Sequence, residues 1–412
     1  MNQWIKIAFR NIIKNKRRSF VTLMAIAMGF TAINLFSGYT HNTYEGLRSS
    51  AIRGSGIGHL TIYKKGWNKF GKSDPDKYMI DKNEISKIIK TIKENKSVIL
   101  ATPRLDISGI VSNGRNSTIF MAQGVIPKDD KIILGDFFDF QPVTGEILNG
   151  DTEYGVQMAV DLAEYLQLKP KGDGVVMATT LDGQLNALDI QVSGVYDTGI
   201  DAINDKFMKV PFKFAQSLYD SNKADRIVVL LDNWKHTTTV QHQILKQLKD
   251  AGIECEIKTW EELSVFYSNV KNMFDMIFLF IFSIVLVIVI MSTVNTMGMS
   301  VIERTREIGT LRALGLKKRG INVLFAIEGA MIGFIGSVAG TLFHLMIWFT
   351  IYMASPTYTP PGSSSPVPLH VDLLSGNIFF MLICMIFLAL IAAILPARRA
   401  ANLNVVDALG HV

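Results

Sequence analysis

Few residues in this sequence have the types and spacing that chemistry requires. Gly54, Gly56 and Gly58 form a Gly-x-Gly-x-Gly run, but no strand–helix context of a phosphate-binding loop surrounds it. His236 and His242 are six residues apart, which matches no standard spacing of zinc ligands on a helix. No Gly-x-Ser-x-Gly or His-Glu-x-x-His motif occurs. The sequence therefore predicts no resident metal, no nucleotide at the glycine run and no hydrolase site.

The remaining candidates for chemistry are also weak. Cys255 stands between two glutamates, which disfavours its thiolate and a nucleophilic role. Asp129 and Asp130 are expected to be turn residues. The nearest match to a P-loop is Gly315–Asn322, which ends Gly-Ile-Asn where a Lys and a hydroxyl are needed. We therefore predict that the chain is not an enzyme and binds neither ATP nor another cofactor by itself.

Long apolar runs determine the predicted architecture. Hydrophobic residues make up 49% of the 412 positions and charged residues 19%, and two cysteines are too few for a disulfide framework. About 20 apolar residues cross a bilayer as a helix. Four apolar runs of 18 to 33 residues predict transmembrane helices, at 20–39, 276–297, 321–353 and 378–395, and the third is longer than a bilayer needs.

These spans divide the rest of the chain into five segments. They are an amphipathic N-terminal helix at 1–19, an extracytoplasmic domain at 40–275, a loop at 298–320, a short extracytoplasmic loop at 354–377 and a tail at 396–412. The first, third and fifth carry 14 Lys and Arg, whereas 354–377 carries none. By the positive-inside rule, both termini and the 298–320 loop lie in the cytoplasm, and the large domain and the 354–377 loop lie on the outer side of the membrane. We expect a multi-pass membrane protein.

The same distribution explains the net charge of +6. Segment 40–272 contains 28 Lys and Arg against 30 Asp and Glu, so it is not a basic surface. The basic excess lies beside the spans, where lipid headgroups bind cations. Nucleic-acid binding is therefore not expected, because it needs a basic stripe on one folded unit.

Strand-like and helix-like runs are mixed in the large domain, which predicts an α+β fold inserted between the first two spans. The strand-like runs are 59–63, 117–124, 175–179, 190–195, 226–231 and 254–258. The helix-like runs are 82–94, 157–166 and 239–251, and Gly252 is expected to cap the last of them. In the 354–377 loop, Pro and Ser are expected to exclude regular structure.

Two further segments have helical patterns beside the membrane. Residues 1–19 have apolar positions on one face and Lys6, Arg10 and Lys14 opposite, the pattern of a helix in the inner headgroup layer; ordinary basic flanking sequence is the alternative. The apolar positions are Trp4, Ile5, Ala8, Phe9, Ile12 and Ile13. In the 298–320 loop, 303–314 reads as a short helix with an apolar edge of Ile308, Leu311 and Leu314, and Gly315 is expected to stop it.

Four short segments of the sequence resemble motifs of one protein family. They are AFRNIIKNKRRS at 8–19, ERTREIGTLRALG at 303–315, EGAMIGFIGSVAG at 328–340 and PARRAANLNVVDAL at 396–409. Together they resemble the MacB/FtsX-like ABC transporter permease superfamily, and the layout is closest to the lipoprotein-releasing permeases of the LolC/LolE type. The resemblance implies a mechanotransmission-type permease of the bacterial inner membrane, with its large domain in the periplasm and a separate ATPase subunit that drives it.

The resemblance also implies sites and partners. A coupling helix that docks on the ATPase dimer would contain Arg306, Glu307, Ile308, Gly309, Leu311, Arg312, Leu314 and Gly315. ATP and Mg would be held by that ATPase, and a second permease chain, identical or related, would complete the complex. The substrate would be a lipoprotein or another lipid-linked molecule released from the inner membrane, with a periplasmic carrier as a further partner. Two alternatives stay open: the permease of a tripartite peptide, antibiotic or toxin efflux pump, and an FtsX-like regulator of a cell-wall hydrolase.

The third span carries two kinds of unusual residue. Its small-xxx-small pairs predict close helix packing, either against the fourth span or across a permease dimer. These residues are Gly329, Gly333, Gly336 and Gly340. Glu328 is costly in hydrocarbon, so we expect it to pair with a basic residue near the cytoplasmic face or to belong to the ATPase interface; proton translocation is a third reading.

Overall fold

The computed structural model describes residues 2–14, 16–138, 142–148, 154–360, 362–402, 405 and 408. The chain folds as two separate units. The membrane unit takes residues 1–44, 270–357 and 368–412. The inserted unit takes residues 45–269 and 358–367. The inserted unit overlaps the domain that the sequence places at 40–275, and it also includes residues 358–367 of the 354–377 loop.

The described residues form the following α-helices and strands. The helices are α1 Asn2–Lys14, α2 Lys16–Ser49, α3 Trp67–Phe70, α4 Pro75–Tyr78, α5 Lys82–Ile92, α6 Pro127–Leu134, α7 Val160–Tyr165, α8 Asp201–Asn204, α9 Phe212–Leu218, α10 Thr237–Asp250, α11 Trp260–Leu263, α12 Val265–Glu303, α13 Thr305–Ala313, α14 Lys318–Ala354 and α15 Ser375–Ala401. The strands are β1 Leu60–Lys64, β2 Val98–Ser112, β3 Ser117–Val125, β4 Pro142–Gly145, β5 Gly155–Ala159, β6 Asp173–Thr179, β7 Leu185–Tyr196, β8 Phe207–Pro211, β9 Arg226–Leu231, β10 Cys255–Thr259, β11 Thr357–Tyr358 and β12 Val367–Pro368.

Four helices among the described residues are long and apolar enough to cross a membrane. They are α2 with the π-helical turn Ser50–Gly54, then α12, α14 and α15. Each contains one of the predicted apolar runs, so the four-span fold class is confirmed. α12 has 39 residues and is about 58 Å long, whereas the hydrocarbon core is about 30 Å thick. Its apolar run therefore marks only the part that a bilayer would cover.

Within the membrane unit, the first half of α14 packs closely on α15. A Cβ added at Gly329 would lie 2.6 Å from the Cβ of Ala393, and one at Gly333 would lie 2.9 Å from the Cβ of Ala389. Small residues on both helices let the two backbones approach, which is how helices associate where water provides no hydrophobic force.

The two glycines in the second half of α14 pack against α2 and not against α15. A Cβ at Gly336 would lie 2.8 Å from the Cβ of Ile26, and one at Gly340 would lie 2.9 Å from the carbonyl oxygen of Ala27. The hydroxyl of Thr31 donates a hydrogen bond of 3.0 Å to the carbonyl oxygen of Gly340. The four glycines thus contact two partner helices of the same chain.

The inserted unit is built on one ten-stranded mixed sheet of the order β10-β1-β9-β2-β3-β8-β5-β7-β4, with β6 paired to β2 and β7. The α+β prediction is confirmed. β2 is the longest strand, and residues 98–104 pair with β9 whereas residues 105–112 pair with β3. It thereby joins two lobes with separate apolar cores.

The two lobes are defined by which elements surround each core. In the first lobe, α5 and α10 cover β1, β9 and β10, with buried Ile88, Val229 and Ile244 among the core residues. In the second lobe, α7 and α9 pack on the strands β3 and β5–β8, with Phe120 and Met208 buried between them.

The predicted elements match the described ones closely in several places and fail in others. The strand at 226–231 coincides with β9, and Gly252 caps α10 with φ +72° and bonds to Lys249, as expected. β2 was not predicted, because its mixed composition with Pro103 hides the alternation of a strand. The expectation of no regular structure in 354–377 was wrong, since β11 and β12 pair there. A two-stranded ribbon leaves both outer edges unpaired, so it tolerates proline.

The close packing of α14 gives a testable prediction. Gly340→Ala would force its Cβ against the backbone of Ala27, and overpacking of this kind costs about 1–3 kcal/mol of stability. Gly298→Ala is the matched control, because it also lies inside a membrane-length helix and its added Cβ meets no atom within 4 Å. We expect the thermal unfolding temperature in detergent to fall for Gly340→Ala only. Equal unfolding temperatures for the two variants would contradict the packing.

Candidate functional site

The predicted coupling segment is a separate short helix, α13, that follows α12 after a break. Arg304 forms the break, with φ −113° and ψ 14°. α13 ends in a Schellman motif: Gly315 has φ +95°, and its amide bonds to the carbonyl of Arg312 while that of Leu316 bonds to Leu311. Gly315 therefore stops the helix, as the sequence predicted.

One face of α13 packs against the membrane unit and the opposite face is open. Ile308 is 1% exposed and lies in the apolar core of the unit, and Gly309 is buried beside it. Leu311 is 38% exposed and Leu314 is 81% exposed. The three residues of the apolar edge expected from the sequence lie within about 120° of one another around the helix axis, and their exposure increases from Ile308 through Leu311 to Leu314.

Arg304 holds this helix to α14 through a buried ion pair. Its Nη1 donates to Oε2 of Glu328 at 3.3 Å, and its Nε donates to Oε2 of Glu307 at 3.1 Å. The guanidinium also lies 5.8 Å from the ring centroid of Phe325. Because Arg304 and Glu328 are both nearly inaccessible to solvent, each charge depends on the other.

Glu307 extends the same network to the N-terminal helix. Lys14 at the end of α1 approaches Oε1 of Glu307 at 3.3 Å. Burial alone would raise the pKa of Glu307, but hydrogen bonds from Arg304 and Lys14 outweigh it and lower the pKa. A second ion pair joins Arg18 of α2 to Glu303, the last residue of α12. Four helices of the membrane unit thus meet through charged contacts at the position of α13.

The remaining residues proposed for docking lie in different environments. Arg306 is exposed on the open face of α13. Arg312 donates from Nη1 to the carbonyl oxygen of Ala401 at 3.1 Å, at the end of α15. Arg312 therefore contributes to packing within the chain, whereas Arg306 faces away from it.

The sequence did not single out Arg304 as the partner of Glu328. A carboxylate on an apolar helix must have a cationic neighbour, and six basic residues are present in the 298–320 loop. Only the position of the α12–α13 break brings Arg304, and not Arg306 or Arg312, against α14. Arg304 is the functional residue that sequence reasoning missed.

The weak chemical candidates are dispersed in the fold. Among the described residues, no three His, Cys, Asp or Glu side chains are grouped so that they could hold a metal ion. Burial, and next to it Glu256, raises the pKa of Cys255 to about 11, which agrees with the expected poor nucleophile. The Gly54–Gly58 run connects the π-helical turn to β1, and a Cβ at Gly58 would lie 2.8 Å from the carbonyl oxygen of Val229. That glycine is required for close backbone approach.

Asp130 is the exception, because it is neither a turn residue nor exposed. It lies in the first turn of α6, where its carboxylate pairs with Arg104 and Lys209. The expectation of a turn was wrong because Pro127, at the first helical position, starts a helix whose first turn includes the two aspartates.

Fold and site together define a multi-span membrane protein that carries one large inserted α+β domain and a short helix closing the second span. Comparisons with known proteins give the family. The MacB-like periplasmic core domain matches residues 19–247, and the FtsX-like permease C-terminal domain matches residues 279–405. The chain belongs to the MacB/FtsX-like superfamily of ABC transporter permeases.

Three relatives are similar along nearly the whole chain. The lipoprotein-releasing system transmembrane protein LolC of Neisseria meningitidis is 20% identical, with 100% of this chain and 99% of LolC covered. The uncharacterized ABC transporter permease YvrN of Bacillus subtilis is 24% identical, with both chains fully covered. The macrolide export ATP-binding/permease protein MacB of Campylobacter jejuni is 23% identical, and this chain spans 60% of its length.

The buried pair of Arg304 and Glu328 gives a second prediction. Arg304→Met should destabilise the protein by about 3–5 kcal/mol, because it leaves Glu328 charged and unpaired. The double variant Arg304→Met with Glu328→Leu should recover much of that loss. Arg306→Met, two residues further along and exposed, is the control and should have little effect. Chemical unfolding in micelles of these three variants and of Glu328→Leu alone measures the differences, and additive effects of the two single changes would contradict a direct pair.

Proposed function

We propose that this chain is the permease subunit of an ABC transporter and that α13 is the helix on which a separate ATPase dimer docks. The observation that carries the proposal is the two-sided burial of α13. Its inner face is fixed by Ile308 and the Arg304 ion pairs, and its outer face presents Leu311 and Leu314 to solvent. Exposed leucines on a short, firmly held helix are suited to a groove in a partner protein.

Charge supports the same interface. Arg306 stands on the open face of α13, where a guanidinium can form paired hydrogen bonds with carboxylates at the rim of a groove. The network of Lys14, Glu307, Arg304 and Glu328 would resist rotation of α13 when a partner pushes on it. A movement of the ATPase would then pass into α12 and α14 and not be absorbed by a flexible loop. ATP and Mg would be bound by the ATPase, and this chain would hold neither.

The proposed orientation places α13 and both termini in the cytoplasm, with the inserted unit on the opposite side of the inner membrane. The basic residues of α1, of the 298–320 loop and of the end of α15 support it. On α1, Ile5, Phe9 and Ile13 remain roughly half exposed, which suits contact with lipid headgroups and the upper acyl chains.

For the substrate, we propose a lipoprotein or another lipid-linked molecule that is released from the membrane. Support comes from the similarity to LolC, which extends over the full length of both chains. A second permease chain would complete the transporter, and a periplasmic carrier would receive the substrate. Efflux in a tripartite pump is the second candidate, favoured by the similarity to the macrolide export ATP-binding/permease protein MacB. Regulation of a cell-wall hydrolase is the third.

The docking helix is tested by changing its open face. Leu311→Glu and Leu314→Glu should each reduce co-purification of the ATPase by at least tenfold, because a carboxylate cannot be desolvated cheaply in an apolar groove. Leu185→Glu is the control, since Leu185 is 76% exposed in the inserted unit and should leave ATPase binding unchanged. Undiminished co-purification with both α13 variants would exclude this face as the docking surface.

Gly309→Trp probes the inner face of the same helix. The indole would displace α13 from its packed position, so ATP hydrolysis should become uncoupled from transport while membrane insertion is kept. Transport at the wild-type rate by this variant would show that the orientation of α13 is unimportant.

A pull-down of the tagged chain from its native membranes, followed by mass spectrometry of proteins and lipids, tests the function itself. We expect an ABC ATPase together with an acylated lipoprotein or its carrier. An ATPase with an adaptor and an outer-membrane channel would favour efflux, and an ATPase with a bound hydrolase would favour regulation. Recovery of the chain with no ATPase would refute the transporter proposal.

A further inference from the structure

The end of α2 in the inserted unit carries one arginine before a change in helical geometry and a second arginine within it. After Ser49 the helix continues as a π-helical turn, Ser50–Gly54, closed by a 2.8 Å bond from the amide of Ser55 to the carbonyl of Ser50. A π turn rotates the following side chains relative to an α-helix, and such turns are frequent at functional sites. Arg48 precedes the turn and Arg53 lies within it.

Arg48 attaches the helix to the first lobe. Its guanidinium lies 3.7 Å from the ring centroid of Trp234, and the side chain also pairs with Glu45. Trp234 lies just before α10, whose residues Val240 and Ile244 are buried in the core of that lobe. A cation stacked on an indole and shielded from water is a firm contact.

Arg53 attaches the same helix to α6. Its Nη1 donates to the carbonyl oxygens of Ile132 at 3.3 Å and Ile133 at 3.2 Å, in the last turn of α6. Carbonyls at a helix C-terminus lack partners within the helix and attract cations. Gly135 follows with φ +52°, and a Cβ there would lie 2.6 Å from Nη1 of Arg53. The geometry at this end of α6 therefore accommodates the arginine.

The other end of α6 is fixed to the second lobe by buried charges. Asp130 accepts from Nη2 of Arg104 at 2.6 Å and from Nζ of Lys209 at 3.3 Å. Arg104 lies in β2 at the point where its pairing changes from β9 to β3, and Lys209 lies in β8. Burial alone would raise the pKa of Asp130, but Lys209 and Arg104 outweigh it and lower the pKa.

From these contacts we infer that α6 is the transmission element between the end of α2 and the second lobe, with Arg53 and Asp130 as its two positioning residues. Arg48 carries movement of α2 directly to the first lobe, and Arg53 carries it through α6 to Arg104 and Lys209. The inference rests on the proposed function, because it requires ATP-driven movement of α2.

The test uses the full chain with its ATPase in lipid nanodiscs, with Cys255 and Cys384 replaced by alanine. Spin labels at Arg319→Cys and either Lys246→Cys, in the first lobe, or Asp182→Cys, in the second, report ATP-dependent distances by double electron–electron resonance. In the parent protein, ATP should shift both distances. With Arg53→Met, the shift at position 182 should fall by at least half, while the shift at position 246 and ATP turnover stay within twofold.

Three further variants distinguish transmission from general damage. Asp130→Asn should reproduce the selective loss at position 182, because it releases the other end of α6. Arg53→Lys should restore part of the shift, since an ammonium can still donate to the carbonyls of α6. Arg115→Met, in the exposed turn between β2 and β3, is the control and should change nothing.

The outcomes separate this inference from the proposed function. An undiminished shift at position 182 in Arg53→Met, or an equal loss at both positions, would overturn the role of α6 while leaving the transporter intact. If no ATPase associates, or if ATP shifts neither distance in the parent protein, the proposed function fails and the inference falls with it.

Discussion

Glu328 lies about 15 Å from the start of a helix with the composition of a membrane span, and a carboxylate there must have a partner. Arg304, which lies at the break between α12 and α13, forms the ion pair with Glu328. The direction of α13 follows from this contact, because the residue that ends the second span is also the one that neutralises the third. The faces of α13 then follow from its direction, with Ile308 inside and Leu314 outside.

The same requirement organises the inserted unit. Arg104, Asp130 and Lys209 are nearly inaccessible to solvent, and two cations on one carboxylate leave little freedom to rearrange. Replacing buried ions by apolar side chains is often neutral or stabilising, so stability alone is a weak explanation for them. A fixed attachment of α6 to two strands is a function that apolar packing would provide less specifically.

Helix α14 connects these features within the membrane unit. Its four glycines contact α15 on one half and α2 on the other, and Glu328 is adjacent to the first of them. A helix so closely packed on two neighbours can move only together with them. Any force on α13 that passes through Arg304 would therefore reach α2 and α15 by way of α14.

The sequence by itself determined the four membrane helices, the α+β class of the inserted unit, and the end of α13 at Gly315, because hydropathy, alternation and glycine conformation are local properties. It also indicated that Glu328 needs a cation and that the glycines of α14 pack closely. Only the tertiary structure decided that Arg304 is that cation and that the glycines of α14 pack against α2 as well as α15. It also decided that Asp130 is buried between Arg104 and Lys209. These pairings join residues far apart in the chain. A charge in an apolar helix or a small side chain at a helix surface shows that a partner is needed, but the sequence does not show which residue is that partner.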